Sequence, residues 1–169
     1  MYFELGQLEI ARRLFDKMPQ RDVVSWNSMI TGCVKAEHVD LALKVFEEMP
    51  LKDLVSCNSM IDGLMKWRRC DLAGGLFRSM KQKDVITWTA MISGYVLNGQ
   101  PKEALEIFRK MLSSGIQPDA AALVNVLSAI ADLGFAEEGK WVHAYLRQRS
   151  VELNSEVLGS ALIDMYSKC

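Results

Sequence analysis

Ala11, Ala42, Ala73 and Ala104 stand 31 residues apart, as do Phe15, Phe46, Phe77 and Phe108, and Met18, Met49, Met80 and Met111. Asp22, Asp53 and Asp84 keep the same interval, and Asp119 follows after 35. A unit this short cannot bury an apolar face alone, so it must stack on its neighbours as one turn of a solenoid. That architecture favours recognition along an extended surface over chemistry in a closed cleft.

In the unit that begins at Val23, Trp26, Met29, Ile30, Cys33 and Val34 recur at spacings of three and four and form one face of a helix. Val24, Asn27, Thr31 and Lys35 line the opposite face. A second helix over Val39–Met49 carries Leu41, Ala42, Val45, Phe46 and Met49 as its stripe, and Pro50 is expected to end it. The pattern predicts further helix pairs at Val55–Lys66 with Cys70–Met80, Ile86–Asn98 with Lys102–Ser113, and Ala121–Leu133 with Ala136–Arg149, while Val157–Lys168 opens a fifth. The expected fold is all-α, a right-handed α-solenoid of antiparallel helical hairpins. The extra residues of the 35-residue interval fall between Met111 and Asp119, where Gly115 and Pro118 mark a loop, so the helices should keep their length and the loop should grow. Gly74 and Gly75 lie inside a second helix, cost about 1 kcal/mol each relative to Ala, and mark the softest hairpin.

Each recurring Asp precedes a first helix, where a carboxylate caps free N–H groups and meets the positive end of the helix dipole. Trp26, Trp88, Phe46, Phe77 and Phe108 fall on apolar faces and are expected in the core. Glu47, Glu48, Glu103 and Glu106 should form a solvated outer face. A formal net charge of −1 and a pI near 6.1 give no global electrostatic case for nucleic acid. Cys33, Cys57, Cys70 and Cys169 form no C-x-x-C pair and are expected as reduced thiols, without metal or disulfide. The apolar runs are too short to span a bilayer, and the Met1 region carries neither a signal peptide nor a presequence. The histidines are His38 and His143, and no H-x-E string accompanies them, so no catalytic residue, metal or cofactor is assigned and no enzyme is expected.

The strings Asp22-Val-Val-Ser-Trp-Asn-Ser-Met-Ile-Thr-Gly32, Asp84-Val-Ile-Thr-Trp-Thr-Ala-Met-Ile-Ser-Gly-Tyr95 and Glu103-Ala-Leu-Glu-Ile-Phe-Arg-Lys-Met111 closely resemble pentatricopeptide repeats (PPR) of land plants. Short units, one 35-residue unit and a longer one containing Gly139-Lys-Trp-Val-His-Ala144 resemble the mixed pattern of the PLS subclass. The expected divisions are 1–22, the C-terminal part of a short repeat; 23–53 and 54–84, short repeats; 85–119, a 35-residue repeat; 120–155, a long repeat; and 156–169, the N-terminal part of a short repeat. Met1 aligns to the middle of a first helix, so both ends are expected to interrupt a unit, as in a fragment or truncated product. A tetratricopeptide-like protein-binding scaffold is the competing reading, but it keeps a 34-residue period.

The resemblance implies single-stranded organellar RNA along the first helices, one base per unit. It implies base-reading pairs at Asn27 with Asp53, Asn58 with Asp84, and Thr89 with Asp119. Asn with Asp would favour uracil over cytosine and Thr with Asp guanine, giving 5′-pyrimidine-pyrimidine-guanine-3′. Val24, Val55 and Ile86 would wedge between bases, and Lys35 and Lys66 would meet phosphates; Leu97 replaces the cation in the next unit. Val124 with Ser155 is assigned no base, and Ser160 holds the reading position of the last unit. The family context is organellar RNA processing or selection of C-to-U editing sites, in mitochondria or chloroplasts. Any deaminase domain or editing partner would be supplied elsewhere, and no membrane is involved.

Overall fold

The computed structural model describes residues 2–148 and 156–169, and among them it contains ten α-helices and no strand. Two compact units divide the chain at Lys83 and Asp84. The first holds α1 (Tyr2–Lys17), α2 (Val23–Lys35), α3 (Val39–Glu48), α4 (Leu54–Lys66) and α5 (Cys70–Ser79). The second holds α6 (Val85–Leu97), α7 (Pro101–Ser113), α8 (Ala120–Leu133), α9 (Ala136–Gln148) and α10 (Glu156–Lys168). Arg149 and Ser155 lie outside the described residues.

Within each unit a second helix packs on its own first helix and on the first helix that follows it in that unit. Thus α3 touches α2 and α4, α7 touches α6 and α8, and α9 touches α8 and α10, while α2 packs on α4, α6 on α8, and α8 on α10. The apolar stripes account for this. Trp26, Met29, Ile30, Cys33 and Val34 are buried on α2, and Ala42, Val45, Phe46 and Met49 on or beside α3, although Leu41 is only half-buried. Trp88, Phe77 and Phe108 are buried as expected. Each large apolar side chain so buried contributes about 1.5–3 kcal/mol. Close approach of the first helices also needs a glycine, because a Cβ on Gly63 would stand 2.7 Å from Val34 Cγ2.

First helices end in a left-handed turn that reverses the chain. Glu37, Arg68 and Gly99 have φ of 66°, 57° and 67°. The following N–H groups then donate back across the turn, His38 to Cys33 O at 2.9 Å, Arg69 to Leu64 O at 2.8 Å and Gln100 to Tyr95 O at 2.9 Å.

One expectation needs correction. The longer interval does not simply enlarge a loop: α3 and α5 have 10 residues each, whereas α7 has 13 and carries the helix through Met111, Leu112 and Ser113. Leu112 is a good helix former, and the helix stops only where Gly115 adopts φ 74°. α3 ends just before Pro50, as expected, and α5 ends at the same register with Lys81 in that place, so the stop does not require a proline. What the two ends share is a buried Met49 or Met80 in extended conformation.

A recurring cation escaped sequence reasoning altogether. Arg21, Lys52 and Lys83, 31 residues apart, each fold back over the recurring Phe of the preceding helix, with the charged group 4.7 Å from the Phe15 ring centroid, 5.1 Å from Phe46 and 5.0 Å from Phe77. Each also donates to a carbonyl at or near that helix's C-terminus: Arg21 Nε to Phe15 O at 3.0 Å, Lys52 Nζ to Met49 O at 3.0 Å and Lys83 Nζ to Met80 O at 2.6 Å. Cation–π attraction and the negative end of the helix dipole favour the same seat.

Candidate nucleic-acid interface

The polar face of each first helix begins at its cap. Asp22, Asp53, Asp84 and Asp119 accept the backbone N–H of Ser25, Ser56, Thr87 and Ala122, each at 2.8 Å. At Asp53 and Asp84 the third helical residue, Ser56 or Thr87, completes a reciprocal capping box. One such cap is worth about 1 kcal/mol.

In the first unit the Asp53 cap does a second task. Its Oδ1 takes the Ser56 N–H while Oδ2 accepts from Asn27 Nδ2 at 3.0 Å, so one carboxylate ties the start of α4 to the polar face of α2. Partial burial pushes the Asp53 carboxyl up, but the hydrogen bonds from the Ser56 backbone, Asn27 and the Ser56 hydroxyl prevail and hold it below the usual carboxylate range. Asp22 is also held low, chiefly by its hydrogen bond from the Ser25 hydroxyl. Asn27 is half-buried, and its Oδ1 is shielded from solvent without a hydrogen-bond partner. The amide is therefore oriented by Asp53, with one Nδ2 hydrogen engaged and one to spare.

The second unit repeats the device with a hydroxyl. Thr89 Oγ1 donates to Asp119 Oδ1 at 3.0 Å, the same oxygen that caps α8 through Ala122. Asn58 occupies the corresponding, half-buried position on α4 in the first unit, and Asp84 caps α6 in the second. Val124 is half-buried on α8, Ser160 is exposed on α10, and Ser155 lies outside the described residues.

Val24, Val55 and Ile86 are 69%, 55% and 59% exposed, which leaves three large apolar side chains in water one turn before the Asn or Thr on each helix. Lys35 and Lys66 are exposed on α2 and α4 and line one groove of about 620 Å³ with Thr31, Ser59, Asp62 and Trp67. The groove is less cationic than the sequence suggested, because Lys66 Nζ pairs with Asp62 Oδ2 at 2.7 Å. Both groups are well exposed, so that pair is weak and an arriving phosphate can compete with it. Leu97, in the lysine's place on α6, is exposed.

Sequence reasoning missed a second row of contacts a turn further on. Thr31 and Ser59 hydroxyls lie 3.3 Å apart between α2 and α4, and Asn125 Nδ2 donates to Ser93 Oγ at 2.9 Å between α8 and α6. The signal was a small polar residue four positions after Asn27 and after Thr89, paired with the residue that follows the next reading position, Ser59 or Asn125. Trp67, outside the repeated stripes, was not singled out either. Cys33 and Cys57 are buried, which pushes the Cys33 thiol up to about 11 and the Cys57 thiol in the same direction, and none of the four cysteines forms a disulfide. Among the described residues no three His, Cys, Asp or Glu side chains gather as a metal site, and no helix is long and apolar enough to cross a membrane.

Stacked helical hairpins, with a shared carboxylate between a helix cap and a polar side chain of the preceding first helix, define a helical-repeat protein with a periodic polar face. The PPR repeat family matches residues 21–54 and 83–131, and the PPR repeat matches 1–23 and 55–85. The chain belongs to the pentatricopeptide repeat family. A chloroplastic pentatricopeptide repeat-containing protein of Arabidopsis thaliana is 31% identical over 100% of this chain and 15% of its own length. A mitochondrial one from the same plant is 30% identical over 97% of this chain and 15% of its own. The chain therefore spans about a seventh of the length of these relatives. The PPR domain of Arabidopsis thaliana protein-only RNase P 1, solved in complex with tRNA, superposes with a TM-score of 0.78 at 16% identity, over 97% of this chain and 92% of that one.

Proposed function

We propose that this chain binds single-stranded RNA base by base, as part of a longer PPR array of the PLS subclass that selects sites for organellar RNA processing or C-to-U editing. The observation that carries the reading is the pair of hydrogen bonds Asn27–Asp53 and Thr89–Asp119 on exposed first-helix faces. Each holds one polar group in a fixed direction beside an exposed apolar side chain, Val24 or Ile86. That is what reading a splayed base requires: a directional donor or acceptor next to a surface against which the base can lie. The spare Nδ2 hydrogen of Asn27 suits a pyrimidine carbonyl, and the shorter Thr89 leaves room for a purine. By repeat register Asn58 with Asp84 reads like Asn27 with Asp53, and Val55 wedges like Val24.

Phosphate attraction is local to Lys35 and Lys66, in line with a net charge of −1. The solved relative bound to tRNA and the organellar names of the Arabidopsis proteins support the reading of substrate and compartment. A deaminase or editing partner would act from elsewhere in the longer protein or assembly.

The decisive experiment is competition binding with RNAs that differ at one base. Asn27→Thr converts the Asn–Asp53 pair to the kind present at Thr89, so the preference at that base should move from uracil to guanine while the other positions keep theirs. One correct contact is worth about 1–3 kcal/mol, ample for measurement. Lys35→Ala with Lys66→Ala should weaken all RNAs alike and reduce the salt dependence. An unchanged base preference in Asn27→Thr overturns base reading, and equal binding to an unrelated polyanion overturns recognition.

A further inference from the structure

We infer that Lys52 is a positioning residue for base selection, holding Asp53 where it can orient Asn27; this rests on the RNA reading proposed above. Lys52 is clamped at three points: Nζ donates to Met49 O at 3.0 Å and to Glu47 O at 3.4 Å, and sits 5.1 Å from the centroid of the Phe46 ring. Those contacts fasten the short connection after α3 to the end of that helix. The next residue is Asp53, whose two oxygens separately engage Ser56 N and Asn27 Nδ2. The capped end of α4 fixes one side of the Asp53 carboxylate and the clamped lysine fixes the backbone that carries it. Asn27 then meets an acceptor with little freedom to swing.

The second unit supplies the contrast. Pro118 precedes Asp119, so no cation can fold back from that position. There Asp119 is exposed, and a single oxygen, Oδ1, serves both Ala122 N and Thr89 Oγ1. Lys52 is therefore coupled to the Asn27 position, and the Thr89 position lies beyond its influence. Arg21 shows that guanidinium suits the same seat, since its Nε meets Phe15 O at 3.0 Å and its charge lies 4.7 Å from the Phe15 ring.

Three variants of the full chain test this. Lys52→Met keeps an apolar stem over Phe46 and removes the ammonium, Lys52→Arg restores a cation, and Lys44→Met removes a charge from the exposed face of α3. Two quantities are read: the affinity ratio of RNAs with uracil or guanine opposite Asn27, and the solvent exchange of the Asn27 side-chain amide by NMR without RNA. A directional base contact gives a ratio of roughly five- to a hundredfold. Lys52→Met should cut that ratio at least about threefold and speed amide exchange, with the ratio opposite Thr89 unchanged. Lys52→Arg should restore both quantities, and Lys44→Met should leave the ratio at its wild-type value. A wild-type ratio in Lys52→Met overturns the inference, whether or not the amide loosens, and so does an equal fall opposite Thr89. Wild-type protein with no preference opposite Asn27 overturns the RNA reading itself and this inference with it, a result visible before any lysine is changed.

Discussion

Asp53→Ala separates the two tasks of a shared carboxylate. The substitution removes the α4 cap, worth about 1 kcal/mol. It also removes the acceptor for Asn27 Nδ2, a charge-assisted hydrogen bond worth about 1.5–3 kcal/mol when fully buried. Asn27 is only half-buried, so water can partly replace that bond, and about 1 kcal/mol is the reasonable share. The variant should therefore lose about 2 kcal/mol, which for a chain of this size lowers the melting temperature by about 4–8 °C. Among the described residues the Asp22 carboxylate meets only Ser25, so Asp22→Ala loses a cap alone and should be the milder variant. Urea unfolding followed by circular dichroism, with an Asn27→Ala and Asp53→Ala double-mutant cycle, should return a coupling of about 1 kcal/mol. The pH dependence has a definite sign. Because the Asp53 pKa is depressed in the folded protein, its stabilisation is fully present above the unfolded value, near 3.9, and disappears as pH falls through the folded value. Wild type and Asp53→Ala should thus converge in acid. A coupling of zero, or a cost no greater than that of Asp22→Ala, refutes the two-task argument.

Gly63→Ala places a methyl group 2.7 Å from Val34 Cγ2 and should destabilise the first unit by about 1–3 kcal/mol, with Val34→Ala in the same chain recovering part of the loss in denaturant titrations. Gly75→Ala should do the opposite, because a Cβ there meets nothing within 4 Å in a helix interior, and thermal melts should show about 1 kcal/mol of added stability. In the groove, Asp62→Asn frees Lys66 from its surface ion pair, so RNA affinity should rise modestly and fall more steeply with salt than in wild type; unchanged affinity and slope in fluorescence anisotropy would remove Lys66 from the interface.

The repeat, the helices and their inward faces were legible in sequence because burial follows a period of 3.6 residues, and Trp26, Met29, Ile30 and Cys33 obey it wherever the chain goes next. Caps were legible for the same local reason, since Asp22, Asp53, Asp84 and Asp119 reach an N–H three residues away. The residues of the candidate interface could be placed on one face of each helix, but whether Asn27 touches Asp53, 26 residues on, depends on how closely α2 and α4 approach. That distance is set by Val34 against Gly63, a packing fact with no local signature. By contrast, the Lys66–Asp62 pair at i and i+4 on α4, the seating of Lys52 over Phe46 six residues back and the run of α7 through Leu112 are local contacts whose sequence signal was present, whereas the Thr31–Ser59 and Ser93–Asn125 contacts between first helices are decided by which neighbours tertiary packing brings within reach. Periodicity specifies which side of a helix turns inward; contacts across the stack require the three-dimensional spacing of the helices, which a one-dimensional pattern does not contain.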